Sequence, residues 1–256
     1  SELGMIRFDR DVLREGERPD IVVIEFAVND EGDETKGVCY ESLVRKVLKL
    51  PWKPAVVLLF SVFANDWNLQ ERLRPVGDLY DLPMVSILNA VTPQFSLKCG
   101  EGRILSKNQF FMICFIPIIP DIPLWRTACN ICLSVVMQQN LQELGLLWKE
   151  LTEEQILSEK LFGPAVIGAD FERIFLLDKK NRYVGAKIRT GSFTSTDIEL
   201  QSVEMDGSLT QTPEFPYNWM YDGSRPQMPG FEMEITCKSL FLIFKDSGEM
   251  DVGRPM

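Results

Sequence analysis

Three short apolar runs divide the first hundred residues. Each run is continuous rather than periodic and is rich in β-branched residues, which is typical of a strand buried on both faces. The runs occupy residues 21–26, 55–60 and 84–87. The sequence therefore predicts three buried strands in this part of the chain.

The segments between these runs have the apolar spacing of helices. One helix is predicted over residues 40–50, where Pro51 and Pro54 stop it. A second is predicted within residues 69–80, ended by Pro75 or Gly77. Strand, helix, strand, helix, strand is the order of an α/β domain with a parallel sheet and right-handed crossovers.

The pattern changes near Gly163-Pro164, where short apolar runs begin to alternate with turn signals. Four of these runs are typical of strands: residues 186–188, 198–203, 231–236 and 240–244. Short strands separated by such turns predict an antiparallel β-sandwich. The predicted domains are an α/β domain over 1–162 and a β-sandwich domain over 163–256.

Two residue groups have both a structural and a functional interpretation. Glutamates alternate with leucines between residues 146 and 159, and this spacing favours a solvated helix face over an acid/base pair. The aromatic residues of the other group either pack in the β domain or stack on sugar rings. They are Phe215, Tyr217, Trp219 and Tyr221, with Tyr217 and Trp219 as the candidate substrate-binding pair.

The composition of the chain disfavours several classes of binding partner. The net charge of −10 disfavours nucleic acids and anionic membranes. Three prolines and an aspartate interrupt the most apolar stretch, residues 110–125, and argue against a membrane helix. Among the six cysteines, Cys129 and Cys132 form a lone C-x-x-C without histidine, so we expect no metal and no cofactor. Reduced thiols favour a cytoplasmic compartment.

Asn29-Asp30 follows the first predicted strand directly. Loops at the carboxyl ends of parallel strands build the ligand site of α/β sheets, and an Asn there can donate its amide N–H to an oxyanion. The alternative is that Asn-Asp only turns the chain and caps the next segment. Spacing alone favours the alternative.

A longer stretch of the sequence favours the functional interpretation of Asn29 instead. Residues 10–13 and 19–30, which end in Glu25-Phe26-Ala27-Val28-Asn29-Asp30, resemble the third conserved block of the SGNH/GDSL hydrolases. The segments at 40–45, 54–60 and 82–86 resemble those that follow in a bacterial branch of that family, and residues 163–253 its appended β domain. The resemblance implies a three-layer parallel-sheet hydrolase domain, here incomplete, with Asn29 as an oxyanion donor and Asp30 as a structural neighbour.

Two departures concern catalysis. Ala27 stands where the family's G-x-N-D block has glycine. The family's first block carries the nucleophilic serine, and we expect it to lie before Ser1, so the chain resembles an N-terminally truncated fragment. The β domain likewise resembles one truncated at its C-terminus.

The family's last block, D-x-x-H, should follow residues 108–111, yet the chain contains no histidine. Reading each codon one nucleotide earlier gives Asp at the junction of Met112 and Ile113, and His or Tyr at the junction of Phe115 and Ile116. The shifted frame permits D-x-x-H-P-N-N-x-G-H at the expected place. We therefore hypothesise a frameshift, natural or in the recorded sequence, over about residues 112–150.

The resemblance implies a serine esterase that cleaves acyl or acetyl esters, including esters on carbohydrate. The expected partner is a small-molecule or carbohydrate ester. Without a serine nucleophile and a histidine base, we expect this chain to be inactive. The alternative function is a non-catalytic carbohydrate- or protein-binding module that uses the β domain.

The coding DNA tests the frameshift. We expect that adding one nucleotide near codon 111 yields D-x-x-H, with one codon between Phe111 and the aspartate of that block. A coding sequence in which no single-base shift produces this block would contradict the hypothesis.

Overall fold

The structure is a computed structural model that describes residues 1–103, 106–111, 153–198, 215–223 and 230–244. The chain divides into two compact units, Ser1–Ile174 and Phe175–Met256. Residues 163–174 therefore belong to the first unit by their contacts, while the domain division at residues 162–163 stays a prediction. The hypothesised frameshifted segment and the C-x-x-C pair lie outside the described residues.

The first unit contains a three-stranded parallel sheet in the order β1-β2-β3. Its strands are β1 (Ile21–Glu25), β2 (Ala55–Phe60) and β3 (Met84–Ser86). Ile21 pairs with Ala55 and Leu58 with Met84, so the carboxyl ends of all three strands meet at one edge. This confirms the three predicted strands and their parallel order.

Helices precede, connect and follow these strands. They are α1 (Glu2–Asp11), α2 (Val38–Leu48), α3 (Gln70–Tyr80), α4 (Ile87–Ala90), α5 (Pro93–Ser96), α6 (Lys107–Phe110) and α7 (Glu153–Phe162). Helices α2 and α3 are the two predicted crossovers, and α7 covers part of the predicted glutamate-rich helix. Helix α1 and the short helices α4 to α6 were not predicted from the sequence.

Helix α3 corrects the prediction that Pro75 or Gly77 ends it, because it continues to Tyr80. Proline removes one backbone hydrogen bond from a helix. Here the apolar face of α3, with Leu73 and Val76 fully buried, packs into the core and outweighs that loss. The helix ends instead at Asp81, which adopts a left-handed conformation with φ of 56°.

One face of the sheet is buried beneath the crossover helices. Val56, Leu58 and Phe60 alternate along β2 and are all buried, and α2 packs against this strand. Ile24, in register with Leu58, lies on the same face and is 3% exposed. Burial on this face accounts for the apolar residues at alternate positions of each run.

The opposite face is covered over β2 and β3 but open along β1. Val57 and Val85 pack there with Phe110 and Phe111 in one apolar cluster. On β1, Val23 is in register with Val57 yet is 49% exposed, and Ile21 is 46% exposed. Apolar burial on this face therefore stops at β2.

A buried carboxylate on α2 fixes the chain beyond α7. Glu41 is fully buried, and one of its oxygens accepts hydrogen bonds from Tyr80 Oη (2.7 Å) and Val166 N (3.0 Å). The other accepts from Ile167 N (2.6 Å) and Gly168 N (2.9 Å). Four donors satisfy the charge, as a buried carboxylate requires.

Arg45, one turn further along α2, extends this anchor. It donates to Tyr80 Oη (2.7 Å), to the carboxylate of Glu172 and to the carbonyl of Leu161. Burial pushes the pKa of Glu172 up, but hydrogen bonds from Lys49 and Arg45 outweigh it and leave that pKa below its usual range. Polar side chains on α2 therefore hold residues 161–172 within the first unit.

The second unit contains a two-stranded antiparallel sheet of β4 (Ala186–Arg189) and β5 (Glu232–Ile235). These match two of the four predicted strands. Residues 240–244 are not a strand, which corrects the prediction: no described segment pairs with them, and Leu240 and Leu242 are exposed. Residues 199–203 lie outside the described part. A full sandwich stays a prediction.

No helix within the described ranges is long and apolar enough to cross a membrane. Most of the apolar stretch at 110–125 lies outside those ranges.

The two faces of β1 give a direct stability test. Ile24→Ala should cost about 2–5 kcal/mol of unfolding free energy, because it leaves a cavity under α2. Val23→Ala, one residue earlier on the open face, should cost less than about 1 kcal/mol. Urea unfolding of both variants measures the difference, and equal losses would contradict the assignment of the two faces.

Candidate functional site

Asn29 lies at the carboxyl edge of the sheet, in a turn that begins two residues after β1. Its side chain is exposed, whereas Ala27, Val28 and Asp30 around it are buried. An exposed amide on a buried turn is accessible to a ligand while its backbone is held in place. The structure thus places an exposed Asn29 at the carboxyl edge of the sheet, and its role as an oxyanion donor stays a prediction.

Three contacts from distant residues hold this turn. Leu69 N, just before α3, donates to the carbonyl of Ala27 (2.8 Å), and Arg72 Nη1 donates to the carbonyl of Asp30 (3.2 Å). The amino group of Ser1 forms an ion pair with the Asp30 carboxylate. The hydrogen bonds from Leu69 and Arg72 therefore fix the Asn29 turn from the start of α3.

The last residue of β1, Glu25, links the Asn29 turn to the loop that follows β2. Oε1 of Glu25 accepts hydrogen bonds from Ala27 N (2.9 Å) and from Ser61 N (3.3 Å), the residue that follows β2. Burial raises the pKa of Glu25, these amides oppose the shift, and the nearby Asp30 carboxylate adds to it. Glu25 therefore joins two loops through a half-buried carboxylate.

A buried phenol lies near these carboxylates. Tyr40, at the start of α2, is fully buried, and burial together with the charges of Glu25 and Asp30 raises its pKa. Within the described part of the chain, Tyr40 Oη and Asp30 Oδ2 have no hydrogen-bond partner. Buried polar atoms without a protein partner are usually bridged by water.

Capping of the segment after the Asn29 turn falls to a different residue. The carboxylate of Asp33 accepts from Thr35 N (2.8 Å) and Gly37 N (2.7 Å) and so fixes the turn that leads into α2. Asp30 instead binds the amino group of Ser1. The capping that the alternative interpretation gave to Asn29-Asp30 is therefore supplied here by Asp33.

The loop after β2 brings two aromatic rings to the same edge. Phe63 and Trp67 stack with ring centroids 5.6 Å apart and an interplanar angle of 23°. Asn68 closes the loop, because its Nδ2 donates to the Ser61 carbonyl (2.8 Å) and its Oδ1 accepts from Gln70 N (3.2 Å). This loop was not singled out from the sequence. The sequence feature that could have identified this loop is an aromatic pair among polar residues at the carboxyl end of a strand.

The aromatic residues of the second unit are held by their neighbours. Trp219 packs on Phe231 with centroids 5.2 Å apart, and Lys180 Nζ lies 5.1 Å from the centroid of the Tyr217 ring. Tyr217 is 37% exposed. Tyr217 therefore keeps accessible ring surface, while Trp219 has a packing role as well.

The chain cannot form a Ser-His-Asp catalytic triad. The sequence contains no histidine. Within the described ranges no group of three histidine, cysteine or carboxylate side chains is arranged to hold a metal ion. Of the described cysteines, Cys39 is buried, Cys99 and Cys237 are exposed, and all three are free thiols. Burial raises the pKa of the Cys39 thiol to about 11, which makes it a poor nucleophile.

The chain is similar to crystal structures of a two-domain esterase (CEX) active on acetylated mannans, one of them co-crystallised with mannopentaose. The TM-scores are 0.52 and 0.51 at 21% identity, and the match covers 85% of this chain and 50% of the esterase chain. The chain thus spans about half the length of these structures and has a distant esterase fold. No protein-family model and no curated protein matches it.

The raised pKa of Glu25 predicts that the stability of the fold depends on pH. A carboxyl whose pKa is raised by folding stabilises the fold below its unfolded pKa, about 4.3, and this contribution is lost as pH rises through the folded pKa. Glu25→Gln keeps an oxygen acceptor for both amides and removes the charge. We expect the Tm of the variant to exceed that of the parent by a margin that grows from pH 4 to pH 8.

Glu31→Gln is the matched control, because Glu31 is an exposed carboxylate beside the same turn. It should change the Tm little at any pH. A Glu25→Gln variant that is less stable than the parent at pH 8 would show that the carboxylate charge itself holds the loops.

Proposed function

We propose that the first unit is an SGNH/GDSL-type ester-hydrolase domain for acyl or acetyl esters on carbohydrate. The observation that carries the proposal is the exposed Asn29 on a fixed turn at the carboxyl edge of a parallel sheet. Similarity in fold to an esterase active on acetylated mannans supports the substrate class. The family's three-layer arrangement and its β-sandwich domain are part of the proposal.

The proposed chemistry is acyl transfer to a serine. A serine oxygen attacks the ester carbonyl, a histidine accepts the serine proton, and an aspartate orients that histidine. Asn29 would donate its amide N–H to the oxygen that becomes negatively charged. Such a donor is most effective when it is held before the reaction begins, which the hydrogen bonds from Leu69 and Arg72 to its turn provide.

In its present form the chain should be inactive. Loss of a triad nucleophile or base lowers turnover by about 10⁶ in a serine protease such as subtilisin, whereas one oxyanion donor contributes about 10²–10³. The loss exceeds the contribution that Asn29 retains. The frameshift over about residues 112–150 is the proposed reason why the D-x-x-H block is missing.

A second candidate is a non-catalytic carbohydrate- or protein-binding module in the second unit. The partly exposed Tyr217 ring and the neighbouring Trp219 favour it. The two candidates make opposite predictions for a protein in which the reading frame is restored, since only the first releases acetate.

The test uses the natural coding region, including any codons before that of Ser1, with its reading frame restored. We expect that protein to release acetate from acetylated mannan, and Asn29→Ala to lower kcat about 10²–10³-fold, because the transition-state oxyanion loses a donor. The present chain should release no more acetate than buffer alone.

Asn108→Ala is the matched control, because Asn108 is an exposed asparagine on α6, outside both the Asn29 turn and the loop after β2. It should leave kcat within about twofold of the parent. Failure of the frame-restored protein to hydrolyse any acetyl ester would reject the esterase proposal. Full activity of the Asn29→Ala variant would reject only the role of Asn29.

A further inference from the structure

The loop after β2 is built around a sharp reversal. Asp66 N donates to the Phe63 carbonyl (2.9 Å), and Phe63 N donates to the Trp67 carbonyl (3.0 Å). Asp66 adopts a left-handed conformation with φ of 63°, which aspartate tolerates better than most residues. This reversal returns the chain so that the Trp67 indole stacks on the Phe63 ring.

The loop is also braced from outside. Ala64 packs against the apolar cluster that contains Phe110 and Phe111, and Lys107 Nζ lies 3.8 Å from the carboxylate of Asp66. Closure by Asn68 at the base completes the support. The position of the Trp67 indole is therefore set before any ligand arrives, which lowers the entropic cost of binding.

The braced loop lies beside the Asn29 turn. Glu25 accepts from the amides of both Ala27 and Ser61, and Leu69, two residues after Trp67, donates to the carbonyl of Ala27. Phe63 covers one face of the indole, and the Trp67 side chain remains partly exposed. A flat aromatic surface and an amide donor thus share the carboxyl edge of the sheet.

We propose that Trp67 forms a sugar-stacking subsite for the neutral pyranose ring that carries the ester or neighbours it. This inference rests on the proposed function and names the part of the substrate that the site recognises. The apolar face of a pyranose matches an indole in size and removes apolar surface from water on both partners. A hydrogen-bonded group of amide and hydroxyl side chains starts at the base of the loop, and such groups suit neutral hydroxyls: Asn68, Gln70, Ser86 and Asn89.

The test is binding of mannopentaose by the present chain, which needs no catalytic activity. Isothermal titration should show binding that Trp67→Ala weakens by about tenfold or more, whereas Trp67→Phe, which keeps a stacking ring, loses less. Trp52→Ala is the matched control, because Trp52 precedes the same strand at its other end and donates to the Pro19 carbonyl. It should leave the Kd within about twofold of the parent.

A second measurement uses the unsubstituted chain, so it does not depend on whether a variant folds. In a ¹H–¹⁵N spectrum, the Trp67 indole signal should shift on addition of mannopentaose while that of Trp52 stays fixed. Binding that Trp219→Ala abolishes and Trp67→Ala leaves intact would overturn the proposal and place the sugar in the second unit. Absence of any mannopentaose binding would overturn it as well. Neither outcome affects acetate release by the frame-restored protein, which tests the esterase proposal separately.

Discussion

The carboxylate of Glu25 is the constraint on which both proposed sites depend. By accepting from the amides of Ala27 and Ser61, one side-chain oxygen ties the turn that carries Asn29 to the loop that carries Trp67. The strand pairing of β1 and β2 ends at Glu25 and Leu59, so the backbone ladder no longer spaces the chains beyond that point. The half-buried Glu25 carboxylate takes over this task, and its raised pKa reflects the energetic cost of removing the charge from water.

The fold of the first unit was accessible from the sequence because its strands are local, continuous apolar runs. The two crossover helices followed from spacing. Where the structure departs from expectation, tertiary packing outweighs a local signal: the buried face of α3 carries that helix past Pro75. The runs at 21–26 and 240–244 have similar composition, but in the described part of the chain only the first forms a strand.

Only part of the candidate site could be predicted from the sequence. Asn29 was identified because it directly follows a strand and belongs to a recognisable string of residues. Glu25 and Trp67 were missed, because their roles depend on hydrogen bonds and ring contacts between segments some forty residues apart or within an irregular loop. Such contacts leave no periodicity in the sequence. The same holds for the anchor on α2, where Glu41 and Arg45 occupy positions that resemble an ordinary solvated helix face.

That anchor determines where the protein can be divided into pieces. A fragment that ended at residue 162 would lack the amides of Val166, Ile167 and Gly168, which supply three of the four hydrogen bonds to Glu41. Its α/β piece would then contain a buried carboxylate with a single donor, Tyr80, and Arg45 would lose Glu172. Cleavage after residue 174 keeps every one of these contacts. Excision of the second unit for separate study should therefore begin beyond the segment that α2 holds.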